Sequence, residues 1–120
     1  GQSCSLQFTE YVADTYSKLG YDVKINGRFI GGEIVLRYGW PEINQHILQV
    51  EIRRDLYMDE NSREKKERFE KMQQDCGAAL ADIKTFVKQI VNWFTITIPN
   101  NHNVYINNIA LPTQSNYYIF

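Results

Sequence analysis

Cysteine, proline and histidine are scarce in this chain: its 120 residues include two cysteines, three prolines and two histidines. Two thiols as far apart as Cys4 and Cys76 make neither a disulfide framework nor a thiolate zinc site, and they fit a reducing, cytoplasmic setting. No apolar run approaches the ~18 residues of a membrane span, and no basic stretch leads into an apolar one at the N-terminus, so neither export nor membrane anchoring is expected. An excess of one charge is missing too. The formal net charge is −1, which leaves no broad field to favour nucleic acid or an anionic membrane surface.

What is present suffices for a folded core, with 43% hydrophobic and 22% charged residues, and the length fits a single domain over residues 1–120. Phe8, Val12, Tyr16 and Leu19 recur at helical spacing, and Gly20 supplies a stop just beyond them. Residues 21–26 alternate, Tyr21, Val23 and Ile25 against Asp22, Lys24 and Asn26, which predicts a strand with one face covered. Asn26-Gly27 and Gly31-Gly32 then mark a turn. Residues 33–38 fit either a short strand or a helical turn, closed by Gly39-Trp40-Pro41.

Residues 47–52 form the most strand-like run. Gln49 and Glu51 fall on a face that begins apolar with Ile47, and a carboxylate on a covered strand is costly unless it is paired or used. Glu51 is therefore the first residue that asks for a chemical explanation. From Ser62 to about Trp93 a stripe of Phe69, Met72, Cys76, Leu80, Ile83, Val87 and Ile90 predicts one long amphipathic helix, or two joined near Gly77, with Asn61 and Glu64 as its cap. The mixed charges at residues 63–71 read as a solvated helix face. Beyond it, residues 95–98 and 104–106 alternate like short strands in an Asn-rich tail.

Portable catalytic motifs are missing: there is no phosphate loop, no H-E-x-x-H, no C-x-x-C and no G-x-S-x-G. On one strand, the odd separation of His46 and Glu51 would point them to opposite faces, so they would not chelate one metal together. His102, among asparagines, reads as a solvated loop residue.

The stretch Tyr21-Asp22-Val23-Lys24-Ile25-Asn26, then Phe29, Gly31-Gly32, Tyr38-Gly39 and Pro41, then His46-Ile47-Leu48-Gln49-Val50-Glu51-Ile52, and Arg54 with Leu56-Tyr57-Met58-Asp59-Glu60, resembles the later motifs of the N-formylglutamate amidohydrolase family. The resemblance covers residues 1–60 in detail and the long helix, 61–94, more loosely; the tail, 95–120, lies outside it. It implies a hydrolase related to zinc carboxypeptidases and aspartoacylase-like deacylases. Such an enzyme cleaves the amide of an N-acyl acidic amino acid, N-formyl-L-glutamate to formate and glutamate in histidine degradation, with a zinc-bound water. On this resemblance Glu51 is the catalytic general base, taking a proton from that water and passing it to the leaving amine. That role calls for a partly desolvated setting, which Val50, Ile52 and neighbouring helices would supply.

The resemblance also implies a substrate pocket bounded by Asn26 and the Gly31-Gly32 backbone, with Arg54 pairing to a substrate carboxylate and His46 and Tyr57 as polar contacts. Plainer readings stand beside these. Arg54 would hold Asp55 or Asp59 at the surface, Asn26 would shape its turn, and the glycines would serve backbone angles.

The chain departs from the family at Leu36, where a basic residue is expected, and at Arg53, which replaces a smaller polar one. The family's early motifs, which carry the zinc ligands, have no counterpart, so the chain corresponds to the C-terminal half and is expected to be inactive alone. Its expected partners are a small N-acyl amino acid and either the missing half or a second copy of itself. The alternative is a decayed or repurposed binding domain without catalysis. The fold expected is α/β, part of a three-layer sandwich of the phosphorylase/hydrolase-like kind, with a mostly parallel sheet and flanking helices.

Overall fold

The computed structural model describes residues 2–27, 31–96 and 116–119, with 91–96 and 116–119 as backbone. In chain order the elements are α1 (Leu6–Lys18), α2 (Glu33–Tyr38), β1 (Gln45–Leu48), α3 (Phe69–Ile96) and β2 (Asn116–Ile119), with 3-10 turns at Pro41–Ile43 and Arg54–Leu56.

Helix α1 forms where its apolar period predicts. The Ser5 hydroxyl accepts from the Phe8 amide at its start, satisfying one of the donors a helix leaves open. At its end the Gly20 N–H donates to the Ser17 carbonyl and the Tyr21 N–H to the Tyr16 carbonyl, with Gly20 at φ +90°. This is a Schellman stop, and the Tyr16 and Tyr21 rings meet edge-on at 6.2 Å to complete it.

The buried stripe of α1, Phe8, Val12 and Tyr16, packs with Cys4 against Ala79 and Ile83 of α3. Tyr11 stacks on Phe86 with ring centroids 3.6 Å apart. Two aspartates of α3 tie the pair at its edges. The Asp75 carboxylate accepts from the Tyr21 hydroxyl and from the Lys71 ammonium, and the Asp82 carboxylate from Tyr11 and Thr15.

Residues 33–38, open between strand and helix in the sequence, are helical, and Val35 is the one residue of α2 that is buried. Between α2 and β1 the chain turns back on itself, with reciprocal backbone bonds between Trp40 and Gln45 and Asn44 at φ +58°. β1 then pairs in parallel with β2, Gln45 opposite Asn116 through Leu48 opposite Ile119. The Ile47 N–H also donates to the Ser3 carbonyl, which fixes the N-terminus beside β1.

Helices against a parallel strand pair give the chain its α/β character. A three-layer sandwich is not seen, since the described sheet has two strands. Several expectations are corrected. Residues 21–24 carry the predicted alternation, Tyr21 and Val23 half-buried and Asp22 and Lys24 exposed, but Ile25, expected on the covered face, is exposed, and the segment has no ladder partner among the described residues. The strand expected at 47–52 lies instead at Gln45–Leu48, where β1 pairs with β2.

The long helix begins at Phe69 rather than Ser62. The Asp59 carboxylate accepts from the Asn61 and Ser62 amides, Arg63 adopts φ +61°, and Met58 bridges Lys65, so the mixed charges of 63–66 lie on a turn. From there α3 runs unbroken past Gly77. Ala79 takes the core position expected of Leu80, which is 50% exposed. The strand expected at 95–98 is helical at 95–96; residues 97 and 98, His102 and the 104–106 strand lie outside the described residues, as do Arg28, Phe29 and Ile30. None of the described helices is long and apolar enough to cross a membrane.

Candidate functional site

Between α1, residues 21–26, residues 48–53 and the start of α3 lies a cleft of about 220 Å³. Val12, Tyr16, Val23, Leu48, Val50 and Met72 give it an apolar floor, while Asp22, Lys24, Asn26, Gln49, Glu51 and Arg53 bring polar groups to it. An apolar cleft with a few convergent polar groups is the usual form of a small-molecule site.

Glu51 lies on this cleft, but not in the setting the sequence suggested. It is exposed and sits in an extended segment past the end of β1, so the expectation of a carboxylate buried in a covered strand is corrected. The Gln49 side-chain amide donates to Glu51 Oε1 at 3.3 Å. That same Gln49 accepts through Oε1 from the Gly32 N–H at 2.9 Å. The glycine turn is thereby joined to the carboxylate through one intervening side chain.

Asn26 lines the cleft as well, with the positive φ of 49° that its turn requires. Gly31 has φ +82°, and Gly32 opens α2 as its N-cap. Both stand outside the cleft lining, with Gly32 connected to it through Gln49.

The other three candidates are placed elsewhere. His46 is buried, and its Nδ1 accepts from the Ser5 N–H at 3.0 Å; burial lowers its pKa below the ordinary 6.5. Arg54 opens the turn after the cleft segment and faces Glu60 at 3.9 Å, its side chain 67% exposed. Tyr57 is half-buried, its ring edge-on to Phe69.

The arginine on the cleft is Arg53, which sequence reasoning noted only as a departure. Its Nε and Nη2 donate side-on to Asp55 at 3.0 and 2.7 Å, so part of its fork is already held in place. The second cation on the cleft, Lys24, pairs with Asp22 at 3.0 Å. A signal for Arg53 was available, because it continues the two-residue period that begins with Gln49 and Glu51.

Among the described residues no group of three His, Cys, Asp or Glu side chains could hold a metal ion. His46 Nδ1 is engaged by the Ser5 N–H, and the Cys4 thiol meets the Thr9 hydroxyl at 3.0 Å.

A family model described as N-formylglutamate amidohydrolase matches residues 1–58. The N-formylglutamate deformylase of Pseudomonas aeruginosa is 46% identical over 43 residues, which make up 36% of this chain and 16% of that protein. The aligned part is thus a small fraction of the relative's length. No solved structure matches.

Proposed function

We propose that the chain is part of a hydrolase of the N-formylglutamate deformylase kind, and that its cleft holds the N-acyl amino acid. The coarse reading, an amidohydrolase acting on N-formylglutamate, is supported by the family match over residues 1–58 and by the Pseudomonas relative. The observation that carries the finer reading is the position of Glu51 on the apolar cleft that those matched residues form with α3.

In this reading Glu51 acts as general base. Its carboxylate takes a proton from a water as the water oxygen bonds to the formyl carbon. The proton passes to the amide nitrogen as the C–N bond breaks, leaving formate and glutamate. Of the two neighbouring arginines, Arg53 takes the carboxylate-pairing role expected of Arg54, because Arg53 is the one on the cleft. Lys24 adds a second positive charge there. Zinc enters through the resemblance alone, and none of these steps uses it, because the described residues offer it no donor set.

The test is a titration of the isotope-labelled chain with N-formyl-L-glutamate, followed by the backbone amides. Saturable shifts are expected at residues 21–26 and 48–53. Shifts absent there, or spread evenly over the surface, would overturn the assignment of the cleft. The chain alone is expected to release no measurable formate, and turnover with one bound zinc per chain would contradict that expectation.

A further inference from the structure

Gln49 has chemistry of its own to account for. A backbone N–H can only donate, so the Gly32 amide at 2.9 Å requires the carbonyl oxygen of the Gln49 side chain to face it. The NH₂ end is then turned to Glu51, whose Oε1 lies 3.3 Å away and, as a carboxylate oxygen, accepts. One side chain therefore fixes two partners in a single orientation. A β-carbon at residue 32 would stand 3.3 Å from the Gln49 oxygen, a tight contact that glycine relieves.

We propose that Gln49 is a positioning residue, a clamp that hangs the Glu51 carboxylate from the glycine turn and aims it along the cleft. The inference rests on the role proposed for Glu51 but concerns a different residue and a different contact. Glu51 is exposed on an unpaired segment, where an unrestrained carboxylate would sample several rotamers. A donor held by a backbone amide selects among them. It also explains why a polar side chain follows Leu48 directly, where the paired strand ends.

The experiment follows the Gln49 side-chain amide signals in the full 120-residue chain. They are expected to shift on acidification, and that shift is expected to vanish in Glu51→Gln. Gln49→Met keeps the length but removes both bonds, and should speed exchange of the Gly32 amide on the order of fivefold. Gln49→Glu retains the acceptor for Gly32, so its Gly32 exchange should stay as in the native chain while the Glu51 contact is lost.

Gln49 signals indifferent both to acid and to Glu51→Gln would overturn the clamp. Unchanged Gly32 exchange in Gln49→Met would do the same. Should N-formyl-L-glutamate bind while the Gln49 signals ignore Glu51, the clamp fails alone. If the signals follow Glu51 while the ligand does not bind the cleft, the clamp is upheld and the proposed function fails.

Discussion

A β-carbon on residue 39 would lie 2.5 Å from the Ser3 Cβ and 2.6 Å from the Val35 carbonyl oxygen, closer than real side chains come. Gly39→Ala is therefore expected to force residue 3 away from α2 and to destabilise the chain by about 1–3 kcal/mol. A denaturant midpoint unchanged by that substitution would contradict the packing. His46 sits beyond the same N-terminal strand of contacts, and its Nδ1 can accept from Ser5 only while unprotonated. Its folded pKa lies below 6.5 through burial, so its contribution is full above pH 6.5 and is lost as the pH falls through the lower folded value. A ring titration midpoint at or above 6.5 would refute this. At this scale the site was partly legible. Pattern and resemblance singled out Glu51, and resemblance Asn26, both of which line the cleft; Arg54 was named for the pocket and Arg53, which lines it, was not, because nothing in the sequence showed where the cleft segment ends and the next turn begins.

Elements set by local chemistry were the most legible. Helix α1 carries its period, and its glycine stop is readable without knowing the rest of the fold. The start of α3 was misplaced because Asp59 captures the Asn61 and Ser62 amides, in competition with the cap suggested by Asn61 and Glu64. The alternation at 21–26 reported half-burial at Tyr21 and Val23 but not at Ile25, which is exposed, and a ladder needs a neighbour that the alternation itself does not supply. Docking of this segment on α3 depends on Tyr21, whose pKa is pushed up to about 12 by burial and by its bond to Asp75. Asp75 is in turn held below the usual 3.8, first by Lys71 and then by Tyr21. The Tyr21 contribution is present below pH 10 and is lost between pH 10 and 12, while that of Asp75 is lost as the pH falls below 3.8. Tyr21→Phe should thus be less stable than the native chain at pH 8, with the difference closing by pH 12. A difference constant across that range would count against the Tyr21–Asp75 bond.

At the scale of the whole molecule, the described core is small. Among the described residues it centres on Phe8, Val12, Ala79 and Ile83. Phe8 is fully buried, and Phe8→Ala should cost about 3–5 kcal/mol, a large share of the 5–15 kcal/mol typical of a domain. Cooperative thermal unfolding close to that of the native chain would contradict this concentration of the core. The functional proposal is tested most directly by grafting residues 1–58 over the corresponding segment of the Pseudomonas deformylase and measuring formate release from N-formyl-L-glutamate. The graft is expected to turn over with Glu51 in place and to lose roughly 10²–10⁴-fold with Glu51→Gln; a graft that is inactive with Glu51, or equally active without it, would contradict the role assigned to that carboxylate.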